Sequence, residues 1–221
     1  MDVKKLSRRL ILLGAPAALG LLGVWHPAHV YFDEMISSPG QGDWWLLLHT
    51  LQMPLFPLIA TAMWLLLKNS DGITASLSRV ALWIFAITYT AFDTIAGIAT
   101  GILFRHVRGL NVSDGDEVYD RMFDLFLALF NLDMPGGTVI MNVAVWSWVA
   151  AAILAAAALY MKGYNRVGVI LIGLSALTFQ SHVHPYGPIT MALLLAGIIC
   201  IEFFPYKWTE VKRPETGGDL S

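Results

Sequence analysis

The chain has 221 residues, of which 57% are hydrophobic and only 14% are charged, and its formal net charge is −2. A soluble domain carries about 25% charged residues and roughly 45–50% apolar ones, so this composition argues against a soluble globular protein and against intrinsic disorder. It also argues against nucleic-acid binding, because no excess of basic side chains is present to neutralise phosphates.

Apolar runs along the chain predict an all-α integral membrane protein with about six transmembrane helices in a single domain, residues 1–221. A helix needs about 20 apolar residues to cross the hydrocarbon core of a bilayer. The predicted spans are residues 10–25, 44–67, 80–104, 138–161, 167–181 and 188–206. The first run follows a basic stretch, as in a signal peptide. It lacks a clear cleavage site, so we interpret it as an uncleaved transmembrane helix.

The basic residues predict the orientation of this bundle in the cell membrane. Eleven of the 14 Lys and Arg residues fall on one side of the predicted topology, and the other three are Arg105, Arg108 and Arg121. Because Lys and Arg are enriched in cytoplasmic loops, both termini are expected to be cytoplasmic, which requires an even number of spans. A polar tail, residues 210–221, follows the last span.

The longest connector, between spans three and four, predicts an amphipathic helix over about residues 114–132. Acidic and other polar side chains recur there at helical spacing, and aromatic and aliphatic side chains fill the opposite face. On the predicted topology this helix is external. It either lies along the membrane interface or folds over the bundle as a lid.

The second span carries polar side chains near its outer end. His49 and Gln52 lie at positions i and i+3 and therefore share a helix face. Pro54 and Pro57 follow, and they open the backbone hydrogen-bond ladder one turn deeper. This pattern predicts a polar pocket beneath the outer face, in which His49, Gln52 and the loop residue His184 bind a cofactor. A kinked helix whose polar side chains are satisfied by neighbouring helices is the alternative interpretation.

The third span carries the costliest side chain, Asp93, near the middle of its apolar run. An ionisable group at mid-bilayer costs at least about 2.5–3.5 kcal/mol, so we interpret Asp93 as a catalytic residue at the floor of a cavity. A protonated aspartate that links two helices is the alternative. Small residues on the same face, including Gly97 and Gly101, predict close approach of a neighbouring helix. On ideal helices Asp93 lies about 10 Å deeper than His49, which favours a shared cavity over a shared ion.

All six histidines fall in the outer half of the predicted topology. Imidazole is the commonest metal ligand in proteins, and it binds metals as the neutral base. Five of the six are therefore candidate metal ligands: His26, His29, His49, His182 and His184. Imidazole ligands without a multi-cysteine cluster suit zinc, copper or iron, and two histidines from different spans could instead hold a haem. The sixth, His106, is interpreted as part of an interfacial basic cluster.

These features support three functional hypotheses for a protein embedded in a lipid bilayer. The first is a metal or haem site on the extracytoplasmic side, in a redox or hydrolytic enzyme that acts on a lipid-soluble small molecule. The second is a small proton-coupled transporter that uses Asp93 within the membrane. The third is a non-catalytic subunit that packs against a membrane-protein partner, or against a second copy of itself in a homo-oligomer, through small residues. The sequence does not decide between enzyme and non-enzyme.

Overall fold

The structure, a computed structural model, describes residues 3–27, 29–110, 112–130, 137–179 and 182–204. Throughout these ranges the regular secondary structure is helical and no strand is present, which confirms the all-α class. The helices are α1 (Val3–Val24), α2 (Phe32–Ser37), α3 (Pro39–Gln52), α4 (Leu55–Leu66), α5 (Ile73–Leu110), α6 (Glu117–Phe130), α7 (Gly137–Met161), α8 (Arg166–Thr178) and α9 (Tyr186–Phe203).

Within the described part of the chain, five helical segments are long and apolar enough to cross a membrane. They are α1, the α3–α4 pair with its terminal turn (Pro39–Asn69), α5, most of α7 (Val139–Met161) and α9. The predicted span 167–181 is instead the 13-residue helix α8. Thirteen residues rise about 20 Å against roughly 30 Å for a bilayer core, so α8 is shorter than a full span, and the number of spans stays a prediction. The cytoplasmic placement of both termini stays a prediction, and the tail 210–221 lies outside the described residues.

The larger hydrophobic core joins α1, α4, α5, α7, α8 and α9. Its centre is an aromatic group in which the Trp148 ring centroid lies 5.1 Å from that of Phe85 and 5.4 Å from that of Phe179. α7 carries a run of buried alanines and packs along α5, because small side chains allow two helices to approach closely. The hydroxyl of Ser78 on α5 donates to the carbonyl of Ala151 on α7, 2.8 Å away.

A second hydrophobic cluster is formed by α2, α3, the end of α5, and α6. α6 corresponds to the amphipathic helix predicted over 114–132, as far as the described residues extend. Its apolar face packs on α2 through Phe126, whose ring centroid lies 5.3 Å from that of Phe32. The Tyr119 hydroxyl on α6 donates to the Asp33 carboxylate on α2. α6 therefore folds onto the end of the bundle that also holds the loop between α1 and α2.

The turn between α4 and α5 is held by Arg79, whose guanidinium donates to the carbonyl oxygens of Leu67 and Ser70, 2.7 and 2.8 Å away. Arg79→Met keeps the aliphatic stem but removes this donor. We therefore expect the free energy of unfolding, measured by denaturant titration in detergent, to fall by about 1–3 kcal/mol. Lys68→Met, at an exposed position of the same turn, is the control and should change it by less than about 0.5 kcal/mol. Equal effects of the two variants would show that these hydrogen bonds do not stabilise the turn.

Candidate metal centre

Three histidines from separate segments of the chain meet at one point. His26 follows α1, His49 lies in α3, and His182 precedes α9. The Nε2 atom of His26 lies 3.2 Å from Nε2 of His49 and 3.2 Å from Nε2 of His182. All three residues are buried, with exposed fractions of 6, 2 and 7%. Their ligand atoms lie within 4.8 Å of one another, so the group is able to hold a single metal ion.

The Nδ1 atoms of two of these histidines are held by backbone carbonyl groups. His26 Nδ1 lies 2.8 Å from the carbonyl oxygen of Pro27, and His49 Nδ1 lies 2.8 Å from that of Trp45. A carbonyl oxygen only accepts hydrogen bonds, so Nδ1 carries the proton in both rings. In a neutral imidazole the Nε2 atom then has a free lone pair, here directed into the cluster. Metal-ligating histidines are held in the same way, by a hydrogen bond from the other ring nitrogen.

The lone pairs of His26 and His49 face each other across 3.2 Å. Two acceptors at this distance repel each other unless a proton or a cation lies between them. Burial lowers the pKa of His26, and it lowers the pKa of His182 well below its usual value, with the other two imidazoles adding to the effect at His182. Both rings are therefore neutral at pH 7, which is the form that binds metals.

Asp93 on α5 brings a carboxyl group to the same point. Its Oδ1 atom lies 3.6 Å from Nε2 of His182 and 4.0 Å from Nε2 of His49. The residue is buried, and neither carboxyl oxygen has a hydrogen-bond partner among the described residues. A buried carboxyl group without a partner is costly unless a proton or a cation satisfies it. Asp93 thus places a carboxyl oxygen beside the cluster, while the group whose ligand atoms all lie within 4.8 Å of one another consists of the three histidines.

Asp93 and His49 line one cavity, as the sequence predicts, and the depth difference of about 10 Å on ideal helices does not keep their side chains apart, since Asp93 Oδ1 lies 4.0 Å from His49 Nε2. α3 and α5 run antiparallel, and His49 lies against Gly97, four residues from Asp93. Four residues rise only about 6 Å, and the two side chains cover the remainder.

An irregular stretch of α5 makes room for His49. The helix widens to π geometry over Thr94–Ala99. Gly97 in this stretch has no side chain, and a Cβ atom there would overlap the His49 ring. The Gly97 carbonyl accepts a hydrogen bond from Trp45 Nε1, 2.8 Å away, which fixes α3 against α5. The close helix approach that the small residues predict is thereby confirmed at Gly97 and at Gly101, which lies against Leu46.

The third histidine is held by Tyr89 on α5, whose hydroxyl lies 2.9 Å from Nδ1 of His182. A hydroxyl can donate or accept, so His182 presents a free Nε2 lone pair whenever its Nδ1–H donates to Tyr89. The Tyr89 ring is 1% exposed and packs between Phe56 and Phe179, with centroid distances of 4.5 and 5.2 Å. This packing leaves the hydroxyl little freedom to turn away from His182.

A cavity of about 350 Å³ lies beside the cluster. The three histidines and Asp93 form part of its wall. Most of the remaining wall is apolar or aromatic and includes Val30, Tyr31, Phe92, Ala96 and Phe130. An ion held by the cluster would therefore be within reach of a small molecule in the cavity.

The other predicted ligands lie outside the converging group. His29 is exposed and lines the cavity, and His184 is exposed as well. Gln52 is fully buried, three residues from His49, and its amide has no hydrogen-bond partner in the described ranges. α3 ends at Gln52 and the chain turns at Met53–Pro54, so the helix break that the prolines predict is confirmed.

Two side chains that position the ligands, Trp45 and Tyr89, are not identified from the sequence. Trp45 follows Trp44 at the start of a predicted span, a pattern typical of an interfacial aromatic belt. It is nevertheless only 2% exposed, and its ring centroid lies 4.1 Å from that of His49. Tyr89 lies four residues before Asp93 and therefore on the same face of α5, which is the signal that could have placed it near the site.

Comparison of the chain with protein-family models, with curated protein sequences and with solved structures finds no match. The fold and the cluster themselves define a class: an all-helical, multi-pass membrane-type protein with three buried histidines that are able to hold a metal ion. What the protein does then follows from the chemistry of these side chains.

Proposed function

We propose that this protein is a membrane metalloprotein whose single metal ion is bound by His26, His49 and His182, with Asp93 as a fourth ligand. The observation that supports it is the convergence of three buried Nε2 atoms beside a buried carboxyl group that has no hydrogen-bond partner among the described residues. A donor set of imidazole and carboxylate suits zinc, copper or iron.

The spacing of the donor atoms supports one small ion rather than a haem. A tetrahedral ion with metal–nitrogen bonds of about 2 Å separates its nitrogen ligands by roughly 3.3 Å. The Nε2 atom of His26 lies 3.2 Å from that of each other histidine. A haem iron with two axial imidazoles would hold their nitrogens about 4 Å apart, with the porphyrin between them. A haem is therefore not part of the proposal.

The cavity supports a reactive rather than a purely structural metal. Structural zinc sites are closed by four protein ligands, mostly cysteine and histidine, whereas catalytic sites keep a position for water or substrate. All four proposed ligands line the cavity of about 350 Å³, so an ion bound by them faces the cavity and can expand to five-coordinate when a molecule there adds a donor atom. We propose redox or hydrolytic chemistry on a molecule bound there, on the extracytoplasmic side that the basic residues predict.

The position of Asp93 favours a ligand role over a transport role. A proton-coupled transporter would use this carboxyl group as a carrier that moves protons through the span. Its Oδ1 atom instead lies 3.6 and 4.0 Å from two imidazole nitrogens, beside the three candidate histidine ligands.

Metal analysis of the purified protein tests this proposal. The full chain is purified in detergent, stripped with a chelator and equilibrated with Co²⁺, which replaces Zn²⁺ and absorbs visible light. We expect one Co²⁺ per chain and the ligand-field absorption of a site with nitrogen and oxygen donors. Failure to bind Co²⁺, Zn²⁺, Cu²⁺ or Fe²⁺ at micromolar free metal would overturn the proposal.

Tyr89→Phe is expected to lower the metal affinity by about 10–100-fold, because an outer-shell partner orients the ligand it holds. The aromatic ring stays in place, so the metal-free protein should lose only about 1 kcal/mol of stability. Competition with a chelating dye measures the affinity. Tyr160→Phe removes a hydroxyl from an exposed position and is the control. Equal affinities in the two variants would show that Tyr89 does not orient His182.

A further inference from the structure

We infer that the cavity beside the proposed metal centre binds an uncharged, mostly apolar molecule that presents one oxygen donor to the metal. This inference rests on the proposed function and adds the class of ligand.

The charge of the wall selects an uncharged ligand. Among the described residues that line the cavity, no Lys or Arg is present, and Asp93 is the one carboxylate. An anionic group away from the metal would find no basic partner there. A cationic group would find only a carboxylate that already serves the metal. A buried charge without a partner is costly, so charged molecules bind weakly in such a site.

The apolar surface of the wall selects a ligand with an apolar body. Val30 from the loop after α1, Phe92 from α5 and Phe130 from α6 contribute to it. A volume of about 350 Å³ is within the range of small-molecule sites, which are mostly apolar with a few polar groups that fix orientation. Here the polar group is the metal, and zinc or iron bound by four protein ligands can take a hydroxyl or carbonyl oxygen as a fifth ligand.

The position of the cavity points to a molecule that dissolves in the bilayer. Phe92 and Ala96 belong to α5, one of the helices long enough to cross a membrane. Val30 and Tyr31 belong to the loop beyond α1 and lie outside the candidate spans. The cavity therefore lies between a membrane-spanning helix and a loop outside the candidate spans. A lipid-soluble alcohol, phenol or carbonyl compound, with its oxygen near the membrane interface, fits this placement.

Titration of the Co²⁺-loaded protein with three matched compounds tests the inference. Hexylphenol carries an apolar body and one hydroxyl, 6-(4-hydroxyphenyl)hexanesulfonate carries the same body and hydroxyl with a charge at the far end of the chain, and hexylbenzene has no donor. We expect hexylphenol to change the Co²⁺ absorption spectrum in a saturable way. The sulfonate should bind at least about tenfold more weakly, a difference of roughly 1.4 kcal/mol, and hexylbenzene should leave the spectrum unchanged.

Variants that fill the cavity locate the binding site. Ala96→Leu adds bulk at a wall position of α5 and should weaken hexylphenol binding by at least about tenfold. Ala150→Leu makes the same change at an exposed position of α7 and is the matched control. The spectrum recorded before each titration shows whether the variant still holds Co²⁺. Val30→Phe, in the loop, is the second variant if Ala96→Leu loses the metal.

The outcomes separate this inference from the proposed function. In Co²⁺-loaded protein, a spectrum that does not respond to hexylphenol would overturn the inference and leave the metal centre in place. If the sulfonate binds as tightly as hexylphenol, the inference is likewise overturned and the metal centre stays in place. The same conclusion follows if neither cavity variant weakens hexylphenol binding. Failure of the chain to bind Co²⁺ at all would overturn the proposed function and this inference with it.

Discussion

His49→Ala is expected to abolish stoichiometric metal binding, whereas His184→Ala leaves it unchanged. His49 supplies one of the three converging nitrogens, and its place in α3 and its hydrogen bond to the Trp45 carbonyl hold its ring in position. Loss of an outer-shell partner lowers metal affinity by about 10–100-fold, so loss of a ligand itself should lower it by more than about 100-fold. Equilibrium dialysis with Co²⁺ or Zn²⁺ measures both the stoichiometry and the affinity.

The matched controls are the two exposed histidines next to the cluster in sequence. His29 is three residues from His26, and His184 is two residues from His182, but neither belongs to the converging group. We expect His29→Ala and His184→Ala to bind one metal ion with the affinity of the unchanged chain. Loss of binding in either variant would contradict a centre built on three histidines and would favour the five-histidine set that the sequence predicts.

A stability measurement separates loss of a ligand from loss of the fold. A metal ion that binds only the folded chain stabilises it by about 2.7 kcal/mol when the free metal is 100 times the dissociation constant. The unchanged chain should show this increase in its free energy of unfolding, and at the same metal concentration His49→Ala should show less than about 0.4 kcal/mol. Helix content by circular dichroism should be the same in both. A His49→Ala chain that metal stabilises as much as the unchanged chain would show that His49 is not a ligand.

The long helices can be predicted from the sequence because apolar runs of about 20 residues leave few alternatives to a membrane span. The end of α8 cannot be predicted in this way. The predicted span extends to residue 181, yet the helix ends at Thr178. The following residue, Phe179, is 2% exposed, and its ring lies against Tyr89 and Trp148, with centroid distances of 5.2 and 5.4 Å. The helix therefore ends where Phe179 packs against side chains of other helices, and hydropathy carries no information about such packing.

The candidate ligands in helices are easier to predict than those in loops. His49 and Asp93 stand out because a polar side chain inside an apolar run is costly. The loops instead hold pairs of histidines, and helical periodicity does not apply there. Which ring of a pair turns inward depends on the path of the loop and on groups such as the Pro27 carbonyl and the Tyr89 hydroxyl. Nothing in the sequence identifies these groups as hydrogen-bond partners of an imidazole.

Gly97→Ala is expected to lower the metal affinity by about 100-fold or more and to destabilise the chain by roughly 1–3 kcal/mol. An added Cβ atom would overlap the His49 ring and would lie 2.8 Å from the Cβ atom of His49. The ring cannot move aside without losing the hydrogen bond from Nδ1 to the Trp45 carbonyl, so α3 and α5 must separate. The Nε2 atom of His49 then moves away from Asp93 and the other imidazoles.

Gly109→Ala is the control for Gly97→Ala, because it lies in the same helix and its added Cβ atom would meet nothing within 4 Å. This variant should keep its metal and gain about 0.4–1 kcal/mol of stability, since alanine has less conformational freedom to lose. The double variant Gly97→Ala with His49→Ala removes the ring that the new methyl group meets. If this overlap is what destabilises the Gly97→Ala chain, Gly97→Ala lowers the free energy of unfolding by less in the His49→Ala background than in the unchanged chain. The effects of the two substitutions on stability are then not additive. Additive effects, or unchanged metal affinity in Gly97→Ala alone, would show that the metal centre does not depend on the close approach of α3 and α5.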